Sequence, residues 1–175
     1  MSLFKSRPSR LLFLFALPLA AQTVSGPWTI DPALVHQASA RTVPIGLLHP
    51  LSIQARQMLR KALGFADSGK HLDAVKQLLK TMHKCPDAGA YAYGLLGVEY
   101  LKTRQFSEAV GALHEAVTLS PRDASNHANL ALALISSGES DRAGPELKRA
   151  LDLDPQSQMA RQLLASLAVS KAALK

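Results

Sequence analysis

The octapeptide GFADSGKH, residues 64–71, has the residue types and nearly the spacing of a phosphate-binding loop. Such a loop, G-x-x-x-x-G-K-[ST], wraps backbone N–H groups around phosphates, and its last hydroxyl ligates Mg²⁺. Gly64, Gly69 and Lys70 fit this pattern, but His71 stands where the hydroxyl is needed. The preceding residues ARQMLRKAL have a helical pattern, whereas a phosphate-binding loop follows a strand. We therefore predict that this segment binds no nucleotide.

The other residues that could support catalysis or metal binding do not form a usable set. His114-Glu115 resembles the start of the zinc motif H-E-x-x-H, but residue 118 is Thr, so the second histidine ligand is absent. The six histidines show no ligand spacing, and no G-x-S-x-G occurs. Cys85 has no evident His and Asn arranged around it. The sequence therefore predicts no catalytic residue, no metal and no cofactor, and we predict that the protein is not an enzyme.

The N-terminus resembles a secretory signal peptide. Three cations in the first ten residues precede the apolar run LLFLFALPLAA, residues 11–21, which is too short to span a bilayer as a helix. We predict cleavage after Ala21, and Gln22 in place of a cysteine excludes a lipoprotein signal. The alternative is an uncleaved membrane anchor. We expect an exported, periplasmic or envelope protein, in which Cys85 is a turn residue or, alternatively, forms an intermolecular disulfide.

The charge pattern argues against a nucleic-acid partner. The formal charge is +7, and removal of residues 1–21 lowers it to about +4. Nucleic-acid binding needs a concentrated basic face, and no run of lysines or arginines with interleaved aromatic residues occurs. We interpret the remaining positive charge as a mild excess spread along the chain, and we expect protein or peptide partners.

Two segments with different patterns follow the leader. Residues 22–54 contain four prolines and several apolar residues, among them Trp28, Ile45 and Leu48, and are predicted to form an extended arm. From residue 55 apolar positions recur every three or four residues, which indicates helices. Pro86, Pro121 and Pro155 recur at intervals of 35 and 34 residues, which indicates an internal repeat.

The segment YGLLGVEY, residues 93–100, resembles part of the tetratricopeptide repeat signature when it is taken with Ala109, Leu113 and Pro121. The signature reads W-x₂-L-G-x₂-Y…A-x₃-F…P, and here Tyr93 replaces the Trp and Leu113 the Phe. The resemblance covers about residues 55–157 and implies an all-α fold, an α-solenoid of three helix-turn-helix repeats. The predicted division is leader 1–21, arm 22–54, repeats 55–89, 90–123 and 124–157, and capping helix 158–175.

The resemblance also implies where a partner would bind. In this family the first helices of successive repeats line a concave groove that receives peptides or helices. Polar residues that would clamp a carboxylate are mostly replaced here by Val98 and Leu132, so an apolar groove with scattered positive charge is expected. By this reasoning Val98→Glu and Leu132→Glu should abolish partner binding while the fold stays intact. The alternative is that some of the groove residues are ordinary core residues, because helix boundaries predicted from a sequence are uncertain by about two to four residues. The predicted groove residues are Arg56, Leu59, Leu63, Tyr91, Val98, Lys102, Asn129, Leu132 and Ile135.

The function predicted from the sequence is that of a non-catalytic scaffold of the cell envelope, which binds a peptide or helix of a partner in the groove. One variant has the arm fold back into the groove. A second hypothesis is a structural subunit of an envelope assembly that acts through its convex face or its arm. A third, a small periplasmic enzyme, has no set of residues to support it.

Overall fold

The computed structural model describes residues 51–173, except for the side chains of Lys171 and Ala173, and within this range all regular structure is helical. The predicted leader and residues 22–50 of the predicted arm lie outside the described residues. One 3₁₀ turn, Pro86–Ala88, joins the first and second helix pairs. The α-helices are α1 Ile53–Asp67, α2 His71–Lys84, α3 Gly89–Lys102, α4 Phe106–Leu119, α5 Ala124–Ser136, α6 Ser140–Leu153 and α7 Gln158–Ala173.

The helices form three pairs that stack in chain order. α1 packs on α2, α3 on α4 and α5 on α6, and each second helix also contacts the first helix of the next pair. α7 packs on α6 and contacts α5, as a final covering helix does. Because one helix pair cannot bury its own apolar face, this stacking creates the core. The all-α solenoid predicted from the sequence is confirmed.

The turn between the two helices of each pair has the same backbone conformation. Gly69 and Gly138 have φ of 72° and 89°, and Arg104 has φ of 61° at the equivalent position. This left-handed conformation ends a helix, and glycine adopts it most readily. GFADSGKH therefore covers the end of α1, a turn at Gly69 and the start of α2, which is the repeat structure and not a phosphate-binding loop.

Two side chains anchor the beginnings of first helices. Ser52 caps α1 by accepting a hydrogen bond from the Ala55 backbone N–H at 3.1 Å. The Ser52 backbone N–H in turn donates to Asp87 Oδ2 at 2.8 Å, which ties the start of α1 to the turn before α3. α1 begins at Ile53, two residues before the predicted start of the first repeat. These bonds fix the entry of the chain into the solenoid.

Asp123 caps α5 and gives a first testable prediction. Its Oδ1 accepts from the backbone N–H groups of Ser125 at 2.9 Å and Asn126 at 3.2 Å. Burial raises the pKa of the Asp123 carboxyl, and these two hydrogen bonds oppose the rise. We expect Asp123→Ala to lower the free energy of unfolding by about 1 kcal/mol, because the cap is lost. Chemical denaturation with urea measures this change.

Asp123→Asn is the matched variant, because its side-chain oxygen keeps the cap without the charge. A raised folded-state pKa means that the stabilising contribution of Asp123 is complete below its unfolded value, near 3.8, and is lost as the pH rises through the folded value. At neutral pH Asp123→Asn should therefore be at least as stable as the native chain. If Asp123→Asn lowered the free energy of unfolding as much as Asp123→Ala does, the assignment of Asp123 as a cap would be contradicted.

Candidate functional site

The predicted groove residues separate into an accessible set and a buried set. Arg56 is exposed, and Leu63, Tyr91 and Lys102 are partly exposed. The other five are buried, four of them with at most 1% of their surface accessible. A buried side chain cannot contact a partner without rearrangement of the helices, so the prediction of direct contact is corrected for these residues. The buried set is Leu59, Val98, Asn129, Leu132 and Ile135.

Several of these buried residues belong to a cluster that continues into the final helix. Val98 of α3 and Leu132 of α5 belong to one buried cluster that also contains Leu163 and Leu167 of α7. α7 itself packs on α6 and contacts α5, the first helix of the third pair. The apolar residues that replace clamp-type polar residues at these positions are core residues of the last two pairs.

The accessible apolar residues lie where the first two pairs meet. Leu63 of α1 and Tyr91 of α3 both pack against the cluster formed by the first two pairs, and both keep part of their surface in solvent. We call these two side chains the Leu63–Tyr91 patch. Arg56, on the same helix as Leu63, is the exposed cation of the predicted set.

A buried carboxylate of α3 contacts one side chain of the first pair and one side chain of its own helix. Glu99 of α3 has only 5% of its side chain exposed. Its Oε2 lies 2.8 Å from Nδ1 of His71 on α2, and its Oε1 accepts from Lys102 Nζ at 3.2 Å. A carboxylate this deep needs partners, because an unpaired buried charge is costly. The positive charge of Lys102 is therefore already satisfied within the protein.

Comparison with known proteins agrees with this geometry. Residues 100–167 match the family model of the tetratricopeptide repeat. The first such domain of Spaghetti (RPAP3), bound to the HSP90 peptide SRMEEVD, superposes with a TM-score of 0.66 at 19% identity, over 70% of this chain and 99% of that one. No curated protein matches the chain. The described residues form a tetratricopeptide repeat fold.

Two further solved structures are similar to this chain. MamA from residue 41 onward, of Desulfovibrio magneticus RS-1, gives a TM-score of 0.63 at 24% identity over 67% of this chain and 66% of that one. A mutant O-GlcNAc transferase of Thermobaculum terrenum gives 0.60 at 29% identity over 65% of this chain, but this chain spans only 22% of the transferase. The likeness to the transferase therefore concerns a minor part of that protein.

The side chains that would form a carboxylate clamp are not available on these helix pairs. Lys102 is paired with Glu99, and Asn129 is buried. Asn126 is also buried, and it lies so close to Gly94 that a Cβ at position 94 would come within 2.7 Å of its Oδ1. The accessible residues of the predicted groove are thus Leu63, Tyr91, Arg56 and the paired Lys102, and not a set of free amides and lysines.

Sequence reasoning missed two polar contacts between helices. Glu99 was visible only as an acid at a position that holds Gly64 and Ala133 in the other repeats. His127 occupies the position of Tyr93, and its Nδ1 lies 2.7 Å from Glu146 Oε2 while its Nε2 lies 3.1 Å from the Pro121 carbonyl oxygen. Both sets connect helices of the solenoid. Among the described residues no group of three or more His, Cys, Asp or Glu side chains is arranged to hold a metal.

Within residues 51–173, no helix combines the length and the apolar character needed to cross a membrane. Cys85 is buried, and its Sγ lies 3.9 Å from the sulfur of Met58. This position fits the predicted turn residue next to Pro86, packed between the first helix pair and the turn that follows it.

Proposed function

We propose that this protein is an exported, non-catalytic scaffold that binds a peptide or helix of a partner protein on the concave side of its repeats. The observation that carries the proposal is the Leu63–Tyr91 patch, two partly exposed apolar side chains on the first helices α1 and α3 that pack against the same cluster. The similar domains of RPAP3 were solved with peptides of HSP90 and HSP70, which supports peptide binding as the use of this fold.

The chemistry of the patch suggests the kind of peptide. Leu63 and Tyr91 offer an aliphatic and an aromatic surface, and such surfaces accept the apolar anchors of an amphipathic helix or an extended segment. Arg56 adds one exposed positive charge on α1. Because Lys102 is paired with Glu99, a free C-terminal carboxylate gains little from it. We therefore propose an internal segment with one or two large apolar residues as the ligand.

A peptide selection tests this proposal. Peptides that bind the full chain would be selected from a random library, and the dissociation constant of the best one measured by fluorescence polarisation. We expect the double variant Leu63→Ser/Tyr91→Ser to bind at least about tenfold more weakly, since two buried apolar anchors contribute more than about 1.4 kcal/mol together. Circular dichroism would verify that the helical fold is retained.

The matched control is Leu72→Ser/Val169→Ser, which removes two of the most exposed apolar side chains of the described chain. Its affinity should equal that of the native chain. Equal losses of peptide affinity in the two double variants would contradict binding at the Leu63–Tyr91 patch. Selected peptides without large apolar residues would contradict the proposed ligand chemistry.

The export of the protein rests on the leader pattern in residues 1–21 and is part of the same proposal. N-terminal sequencing of the chain isolated from its own cells should find Gln22 as the first residue. Recovery of the intact N-terminus from a membrane fraction would favour the uncleaved anchor instead.

A further inference from the structure

The positive charge of the repeat region is concentrated on the first helix pair. Residues 53–85 carry seven Lys and Arg side chains against two Asp, whereas residues 86–175 carry nine cations against ten Asp and Glu. This concentration corrects the expectation of a charge excess spread along the chain. Arg60, Lys61, Lys76, Lys80 and Lys84 are all exposed.

Part of this charge surrounds a cleft between α1 and α2. The cleft is open to solvent and has a volume of about 360 Å³. Lys61 and Phe65 are four residues apart on α1, as are Lys76 and Lys80 on α2, so each pair points to one side of its helix. The Lys61 Nζ lies 5.9 Å from the centre of the Phe65 ring. The lining residues are Lys61, Phe65, Asp73, Lys76, Gln77 and Lys80.

The cleft is lined by three lysines and a single acid, Asp73, so its net charge is positive. Asp73 Oδ1 lies 3.9 Å from Lys76 Nζ, at the limit of an ion pair, and both side chains are largely exposed. Such exposed pairs contribute little. Lys61 and Lys80 have no carboxylate partner among the described ion pairs. Gln77 is buried at the base and adds a side-chain amide.

The repeat register shows which face of the solenoid this is. Lys61 is equivalent to Leu96 and Leu130 of the next two repeats, and each of those leucines is only 3% exposed. Gln77 is equivalent to Ala112, which is also buried. In the second repeat this apolar face packs against the pair before it. In the first pair the face has become basic and exposed, which disfavours stacking of a further repeat on it.

We propose that this basic end face, defined by Lys61, Phe65, Lys76 and Lys80, binds an acidic protein segment that also carries an apolar side chain. The three ammonium groups pair with carboxylates, and the apolar side chain packs on the half-buried Phe65 ring. This surface is separate from the Leu63–Tyr91 patch, so one chain joins two partner segments.

Charge complementarity selects this occupant over the alternatives within the chain. The predicted arm, residues 22–54, contains a single acid, Asp31, and cannot neutralise three lysines. The second and third repeats of another copy, residues 90–157, carry nine acids, but six cations are interspersed among them and would be repelled by the three lysines. The half-buried Phe65 ring forms one wall of the cleft. A concave site of this kind suits an inserted side chain better than it suits the flat surface of a membrane.

A binding assay with the full chain tests the proposal. The probe is a fluorescein-labelled synthetic peptide of alternating Glu and Leu, compared with the same peptide carrying Gln for Glu. We expect the Glu peptide to bind and the Gln peptide to bind at least about tenfold more weakly, with an affinity that falls as salt rises. Equal affinity for the two peptides would overturn the proposal.

Two triple variants separate the basic end face from overall charge. Lys61→Glu/Lys76→Glu/Lys80→Glu should lose at least about tenfold in affinity, whereas the equally charged control Arg122→Glu/Lys148→Glu/Arg149→Glu should retain it. Equal losses would show a general charge effect and overturn the proposal. If the first triple variant fails to fold by circular dichroism, Lys76→Gln/Lys80→Gln replaces it, and unchanged affinity there would overturn the proposal too.

Two further measurements identify the source of the anion and keep the two proposals apart. Vesicles of phosphatidylglycerol and a single-stranded oligothymidylate are offered in place of the peptide, and tighter binding to either one than to the peptide would overturn the assignment of an acidic protein segment. Leu63→Ser/Tyr91→Ser should bind the Glu peptide normally. If this variant lost the Glu peptide, the peptide would bind at the Leu63–Tyr91 patch, and the proposal of a separate binding surface on the basic end face would be overturned.

Discussion

Leu132→Glu should unfold the protein instead of abolishing partner binding in an intact fold. Leu132 has no accessible surface and packs in one cluster with Val98 and Leu163. A carboxylate at this position is buried without a designed partner, and such changes cost more than about 4 kcal/mol. That is a large share of the roughly 5–15 kcal/mol that stabilise a typical domain. Thermal unfolding followed by circular dichroism would measure the effect.

The control for this prediction is Leu72→Glu on α2, where 61% of the side chain is exposed. It should change the free energy of unfolding by no more than about 0.5 kcal/mol. A native melting temperature for Leu132→Glu would show that Leu132 lies on an open surface. The consequence is practical, since Val98→Glu and Leu132→Glu, which the sequence suggested as tests of the groove, report on the core.

Gly97→Ala should destabilise the protein although alanine is the better helix former. A Cβ at Gly97 of α3 would lie 2.8 Å from Cδ2 of Leu113 and closer still to its Cγ. Leu113 is completely buried, so it has little room to move. Overpacking of this kind costs about 1–3 kcal/mol, which exceeds the gain in helix propensity. Urea unfolding of the variant measures the difference.

Gly111→Ala on α4 is the matched control in the same repeat. A Cβ at Gly111 meets nothing within 4 Å, and the residue is exposed within the helix. It should raise the free energy of unfolding by about 0.5–1 kcal/mol. If Gly97→Ala and Gly111→Ala changed the free energy of unfolding in the same direction, the close packing of α3 on α4 at Gly97 would be contradicted.

The architecture was predictable because it depends on positions that recur along the chain. The spacing of Pro86, Pro121 and Pro155 indicated the repeat, and the position shared by Gly69, Arg104 and Gly138 proved to be the same left-handed turn. Arg104 shows that the repeat imposes this conformation even where the residue does not favour it. Local periodicity and turn chemistry thus contain most of the information on the fold.

The functional surface was less predictable because it depends on which helix covers which. The periodic pattern placed Leu63 and Val98 in equivalent positions of successive repeats, yet one is partly exposed and the other buried. Val98 belongs to a buried cluster that continues through the third pair to Leu163 of α7, whereas Leu63 lies at the margin of the cluster of the first two pairs. The contact of Glu99 with His71 of the preceding repeat likewise requires side-chain positions across two repeats.

The most direct test of the account is to map a selected peptide on the full chain by nuclear magnetic resonance. The peptide would be titrated into ¹⁵N-labelled protein and the backbone amide shifts followed residue by residue. The account predicts that the largest shifts cluster around Leu63, Tyr91 and Arg56, on the first helices α1 and α3. Shifts confined to the outer helices α2, α4 and α6 would contradict it and favour an assembly subunit that acts through its convex face.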